Sequence, residues 1–139
     1  MISNLYPYIN FNGNCEAALT FYQSCLGGEI KLLSVKDSPA APQLPSEMHE
    51  KIMHGEIKFG NMMIMATDIN DQRSQTGNAV SLFIHFTEED ELMRAFEALS
   101  AGGAITLAVA KQFWGATYGE LTDKFGFRCR CDFHQMYKE

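Results

Sequence analysis

Several things are scarce in this sequence, and each scarcity excludes something. Basic residues are the minority charge: 11 Lys and Arg stand against 17 Asp and Glu, giving a formal net charge of −6. A protein that grips a phosphate backbone needs a basic stripe, so no nucleic-acid partner is expected. No apolar run approaches the ~18 residues that a membrane-crossing helix requires, so no membrane association is expected either. The opening "MISNLYPYINF" lacks the basic start and long apolar centre of a secretion signal. It reads as a first strand, and a cytoplasmic location is the expectation. Cysteine is sparse, and no C-x-x-C pair offers a zinc site. Cys15, Cys25, Cys129 and Cys131 are therefore read as reduced, buried or half-buried thiols. Three of the four prolines sit in one stretch, "KDSPAAPQLPSEMHE", which has no periodicity and reads as a long loop.

What is present is a core and a repeat. Apolar residues make up 46% of the 139, enough for one compact domain over residues 1–139. Shifting the chain by 75 positions lays "FNGNCEAALTFYQSCLGGEIKL" on "FTEEDELMRAFEALSAGGAITL" without a gap. Phe11 meets Phe86, Glu16 meets Glu91, Phe21 meets Phe96, and Gly27-Gly28 meets Gly102-Gly103. Further on, "GEIKFG" is echoed by "GELTDKFG" at an offset of 64, pairing Glu56 with Glu120. The shrinking offset assigns about eleven extra residues to the first copy, which the proline-rich loop accounts for. Module one covers about residues 1–69, a polar linker 70–78, and module two about 79–139.

Each copy reads strand, helix, then three strands. In the first, aromatic and β-branched residues 6–11 predict a strand. Asn12-Gly13-Asn14 turns and caps a helix with Ala17, Ala18, Phe21, Tyr22 and Leu26 at helical spacing. Gly27-Gly28 ends it, and strands follow at 29–36, 52–59 and 62–67. In the second, a strand at 80–86 leads to a helix at about 88–101, with Thr87 as cap and carboxylates in its first turn. Strands follow near 104–110, 116–122 and 127–133. The expected fold is α+β, with two tandem βαβββ modules. One module alone is too small to cover both faces of its sheet. The modules are therefore expected to join into one curved eight-stranded sheet, helices outside, with a concave cleft for a ligand.

Strand alternation sorts side chains between helix and cleft. Pro7, Ile9 and Phe11 go to the helix side, Tyr6, Tyr8 and Asn10 to the other. Val80, Leu82, Ile84 and Phe86 go to the helix, and Ser81, Phe83 and His85 to the cleft. His54, Glu56 and Lys58 face the cleft from the third strand, and Tyr118 and Glu120 from its repeat. Arg128, Arg130 and Asp132 face it from the last strand. The candidate ligand-binding set is Tyr6, Tyr8, His54, Glu56, Tyr118, Glu120 and Arg130, with Trp114 near the mouth. His54 and Glu56 read either as a hydrogen-bonded polar pair or, with Glu120, as a general base or unconventional metal cluster. His49 and His134 are expected to be exposed and inert, and His85 is open.

The phrases "PYINFNGNCEAALTFYQSCLGGEI" and "KQFWGATYGELTDKFG" resemble the PhnB-like branch of the vicinal oxygen chelate superfamily. That superfamily includes glyoxalase I, bleomycin-resistance proteins, fosfomycin-resistance enzymes and extradiol dioxygenases. The resemblance covers nearly the whole chain and implies paired βαβββ modules and a homodimer. A demethylubiquinone methyltransferase label also attaches to this branch, but no S-adenosylmethionine site is legible. The resemblance further implies a divalent ion held by His, Gln or Glu on the first and last strand of each module. This chain offers Tyr6, then Ile64 or its neighbours Met63 and Met65, then Ser81 and Arg130. None is a usual ligand, so no metal at that site and no cofactor is expected. "FGFRCR" replaces the Phe-Gly-Val-Pro-Trp of related chains, which alters the pocket floor.

Three functions compete. One is a binding protein for a small molecule, as bleomycin-resistance proteins are, with the acidic pI, the tyrosines and Trp114 favouring a cationic, aromatic ligand and Arg130 counting against the cation. A second is a metal-dependent lyase or isomerase of glyoxalase type, which needs an electrophile beside a developing oxyanion. A third is an antibiotic-modifying transferase whose anionic substrate meets Lys58, Arg128 and Arg130. The first is the expectation, with catalysis left open.

Overall fold

The structure, a computed structural model, describes residues 1–70 and 72–134. Asp71 of the expected linker and the last five positions of module two lie outside the described residues. The chain divides into two compact units, Met1–Ser74 and Gln75–Glu139. The first holds β1 (Tyr8–Asn10), α1 (Cys15–Leu26), β2 (Glu29–Ser34), β3 (Ile52–Phe59) and β4 (Met62–Thr67). The second holds β5 (Ser81–Phe86), α2 (Glu89–Ser100), β6 (Ala104–Lys111), β7 (Thr117–Thr122) and β8 (Arg128–Phe133). The βαβββ order thus occurs twice, and the fold is α+β.

The expected single eight-stranded sheet is corrected. The strands hydrogen-bond in two four-stranded sheets, ordered β1-β4-β3-β2 and β5-β8-β7-β6. The ladder partners of every described strand lie within its own unit, so each sheet has its own helix side and open side. In both, the first strand runs parallel to the last, and the remaining pairs are antiparallel.

The duplicated phrase around Gly55 and Gly119 has a packing cause. Both glycines point at the helix side, where a side chain would not fit. A Cβ on Gly55 would stand 2.9 Å from Leu19 Cδ1, and one on Gly119 2.9 Å from Phe96 Cε1. The helices seat closely on the third strand of each unit because that position is bare. The next residue in each phrase, Glu56 or Glu120, points to the open side by strand alternation. Ile57, Ala66, Leu19 and Tyr22 make the first core; Leu92, Phe96, Leu99, Leu121, Cys129 and Cys131 make the second. Burial pushes the Cys15 and Cys131 thiols up to about 12, and none of the four cysteines is in a disulfide.

Helix ends depart from the sequence reading. Asn14 holds the N-cap position of α1 but makes no side-chain cap bond. Asp68, just past β4, does the work instead. Its Oδ1 accepts from Gly13 N at 2.9 Å and Cys15 N at 3.0 Å, and its Oδ2 from Ile52 N at 3.0 Å. One buried carboxylate therefore ties the helix start to the start of β3. Thr87 does not cap α2; Glu88 takes the boundary, and Glu89, Asp90 and Glu91 fill the first turn as the dipole favours. Gly27 (φ 79°) and Gly102 (φ 78°) follow the helices in the left-handed region, as expected of helix stops.

Other boundaries also move. Strand β1 is shorter than the expected 6–11, and Val80, exposed, precedes β5. The proline-rich loop is not structureless but forms three 3-10 turns, Val35–Asp37, Ala41–Gln43 and Ser46–Met48. His49, expected to be exposed, is half-buried, its Nε2 lying 2.9 Å from Ala41 O and 3.1 Å from Leu44 O. The turned loop surrounds it with carbonyls. Among the described residues, no helix is long and apolar enough to cross a membrane.

Replacing Asp68 by Ala removes the acceptor of three backbone N–H groups. The expected loss is about 2–4 kcal/mol of unfolding free energy, since unmet buried donors cost ~1–3 kcal/mol each and partial rehydration offsets some of it. Urea titration of Asp68→Ala against Asn14→Ala checks it; the Asn14 variant should lie close to the native chain.

Candidate functional site

On the open face of the first sheet, register sets Tyr8, Met65, Glu56 and Lys31 in one row. Tyr8 is half exposed, and its ring lies 6.2 Å from that of His54, tilted by 47°. His54 Nε2 stands 3.7 Å from Glu56 Oε1, beyond hydrogen-bond reach but close enough for an ion pair when the imidazole is protonated. Tyr6 lies just before β1 and is half-buried. The expected pairing of His54 with Glu56 is thus an electrostatic contact and not a hydrogen bond.

The open face of the second sheet is more tightly organised. Register aligns Phe83, Arg130 and Glu120 across β5, β8 and β7. The Tyr118 hydroxyl donates to Glu120 Oε2 at 2.7 Å. Arg130 Nη1 donates to the Tyr118 oxygen at 2.9 Å and to Glu120 Oε2 at 3.1 Å. Arg130 Nε reaches Ser81 Oγ at 3.4 Å, and Arg128 Nη2 lies 4.0 Å from Glu120 Oε1. Burial, then the bond to Glu120, raises the Tyr118 phenol above its ordinary value of 10.0, while Arg130 pulls it down. Arg130 is held above its own ordinary value, first by the hydrogen bond to Tyr118 and then by the charges around it. In the next row His85 Nδ1 meets Asp132 Oδ1 at 2.8 Å, which settles the role left open for that histidine.

Trp114 stands beside this group. Its ring lies 5.7 Å from that of Tyr118, edge-on, and 4.8 Å from that of Phe113. The turn that carries it is closed by Gln112 N to Ala116 O at 2.8 Å. It is pinned by His134, whose Nε2 is 3.2 Å from Trp114 O. His134 was expected to be exposed; it is buried because it fills the space under this turn. The strand parity found Tyr118, Glu120, Arg130, Ser81 and Phe83. The support of Trp114 by His134 carried no signal, because it joins residues twenty apart that no periodicity relates.

With this geometry in hand, similarity to known proteins can be placed. Residues 3–130 match the family described as 3-demethylubiquinone-9 3-methyltransferase. Protein YjdN of Escherichia coli K12 is 31% identical over 131 residues, covering 88% of this chain and 89% of its own. The chain belongs to this PhnB-like family. The crystal structure of PA1353 from Pseudomonas aeruginosa matches at TM-score 0.85 and 30% identity, covering 96% of this chain and 98% of that one. A glyoxalase/bleomycin resistance protein/dioxygenase family enzyme from Burkholderia phytofirmans matches at TM-score 0.62 and 14% identity, covering 91% and 95%. That second likeness is one of fold alone.

The metal that the superfamily implies can be tested against the residues present. At the four strand positions the PhnB-like chain has a phenol (Tyr6), a buried Ile64 between thioethers, the Ser81 hydroxyl bonded to Arg130, and Arg130 itself. A fixed guanidinium repels a cation, and the rest are poor ligands, so the residues do not fit the group. Among the described residues, no three His, Cys, Asp or Glu side chains form a group that could hold a metal ion. The reading of His54, Glu56 and Glu120 as a metal cluster gains no support within either unit. Glu120 is bonded instead to Tyr118 and Arg130, which its own strand and β8 bring to it.

The raised Tyr118 value carries a pH signature. The folded state keeps this proton more tightly than the unfolded state, so the stability it contributes is whole below pH 10.0 and is lost as pH rises through the folded value. The difference in phenolate absorbance between the native chain and Tyr118→Phe should show one phenol titrating above pH 10.0. Glu120→Gln should lower that midpoint and Arg130→Gln raise it; a midpoint at or below 10.0 contradicts the network.

Proposed function

We propose that this PhnB-like protein binds a small organic molecule on the open face of its second sheet, without a metal at the superfamily's usual positions. The observation that carries the reading is the Arg130 guanidinium, fixed by Tyr118, Glu120 and Ser81 next to the chain's one tryptophan. Guanidinium, phenol and carboxylate give a ligand directional hydrogen bonds, and exposed rings give it area, which is the composition of a small-molecule site. Tyr6, Tyr8, His54 and Glu56 on the first sheet are the companion candidates. Fold likeness to a glyoxalase/bleomycin-resistance family enzyme supports the choice of this face. Methyl transfer is left out of the proposal, since the sequence offers no legible S-adenosylmethionine site.

The reading includes a homodimer. Strand β6 is an edge of its sheet and exposes Ile105 and Leu107 without a charge until Lys111. An apolar edge of that kind is normally covered, and a second copy of the chain supplies a matching edge. A cytoplasmic site of action is part of the same proposal.

Trp114 fluorescence reports on the site directly, because no other tryptophan contributes. The native chain is titrated with neutral, cationic and anionic aromatic compounds and with S-adenosylmethionine, alongside light scattering for dimer mass. At least one aromatic class should give a saturable change that Arg130→Ala or Phe83→Ala weakens, with no response to S-adenosylmethionine. A flat response to every class removes the proposal. Retention of nickel, zinc or manganese with turnover of a thiol–ketoaldehyde adduct replaces it with the glyoxalase-type alternative.

A further inference from the structure

Arg130 has more hydrogen-bonding capacity than the protein uses. Its Nε and Nη1 are engaged by Ser81, Tyr118 and Glu120, but Nη2 donates to no protein atom among the described residues. The guanidinium side chain is about half exposed, at 46%. Nε and Nη1 are therefore anchored, and the two N–H bonds of Nη2 are the donors left for a ligand. Arg128 adds a second guanidinium on the same face, two residues along β8. Together the two carry two positive charges against the single carboxylate of Glu120. The remaining carboxylate on this part of the face, Asp132, is answered by His85. With the imidazole neutral, the two arginines balance Glu120 and Asp132, so this face is locally uncharged in a chain whose net charge is −6.

The surroundings of the fork are aromatic. Phe83 is the register partner of Arg130 on β5 and is 59% exposed. Trp114, 45% exposed, lies against the ring of Tyr118, whose hydroxyl is on Arg130. Exposed aromatic surface thus stands on the same part of the face as the unfilled Nη2 donors. Exposed rings of this size are costly to leave in water and are used where a ligand covers them.

We infer that this site recognises an aromatic carboxylate, its carboxylate on Nη2 of Arg130 and its ring against Phe83 or Trp114. The anchored half of the guanidinium fixes the direction of the Nη2 donors, which a flexible lysine ammonium does not reproduce. A carboxylate there gains a charge-assisted hydrogen bond, and a cation is repelled by Arg128 and Arg130. The inference rests on the small-molecule reading above and narrows it to one chemical class.

The test uses the full chain and three isosteric probes, benzoate, benzamide and benzylammonium, with calorimetry and Trp114 fluorescence. Benzoate should bind saturably and at least about tenfold more tightly than either other probe, the worth of one charge-assisted pair at ~1.4 kcal/mol per decade. Arg130→Lys should lose about tenfold for benzoate and leave benzamide unchanged, since the charge stays but the fork is gone. Phe83→Ala should weaken benzoate and leave acetate unchanged. The comparison among probes on the native chain needs no variant to fold. Equal binding of benzoate and benzamide, tighter binding of phenylphosphonate, or an unchanged Arg130→Lys overturns the inference. If benzylammonium or benzamide alone binds in a Phe83-dependent way, the small-molecule reading stands and this one falls. If no probe binds, both fall.

Discussion

The pairing of β7 with β8 in the register that sets Glu120 opposite Arg130 is the constraint on which the candidate site depends. A slip of one residue would put Glu120 and Arg130 on opposite faces and bring either Leu121 or Cys129 into water. The register is held from the buried side: Leu121 and Cys129 face each other there, as do Gly119 and Cys131. The bare Gly119 lets Phe96 of α2 press close. Apolar packing on one side of the sheet thereby fixes polar geometry on the other. The site's hydrogen bonds need to contribute little to folding, because their positions are settled by the core.

The two units share this plan and differ in what they place on it. Both carry Gly-Glu on the third strand, with the glycine under the helix and the glutamate on the open face. In the first unit the glutamate stands near His54, and its row partners on β4 and β1 are Met65 and Tyr8. In the second it meets a tyrosine and two arginines. Duplication supplied the scaffold; the last strand, Met-rich in one copy and Arg-rich in the other, separated the chemistry. That last strand is also where the superfamily places metal ligands. Arg130 puts a fixed positive charge at such a position, and a guanidinium meets oxygen atoms by hydrogen bonds, as it does those of Tyr118 and Glu120.

Much of this was legible because it is periodic. The repeat showed the element order, and odd-even counting along β5, β7 and β8 assigned Phe83, Tyr118, Glu120 and Arg130 to one face. What escaped was not periodic. Asp68 caps α1 from 53 residues away, while the local candidate Asn14 makes no side-chain cap bond, so a local capping rule names the wrong residue. His134 holds the Trp114 turn through a carbonyl, a contact set by where the chain ends its last strand. The single eight-stranded sheet failed for a related reason: hydrophobic pattern identifies a strand's faces but not its edge partners. The repeat equates Glu56 with Glu120 only by position within each copy, and such equivalence says nothing of proximity between copies.

The central claim is that a guanidinium, not a metal ion, organises ligand binding on the second sheet. An anomalous difference map from crystals grown with both zinc and para-bromobenzoate tests it most directly. The account predicts a bromine peak beside Phe83 and Trp114, with the carboxylate on Arg130 Nη2 and no zinc at Ser81 and Arg130. A zinc peak on that face with Arg130 swung away from Tyr118 and Glu120 would contradict it.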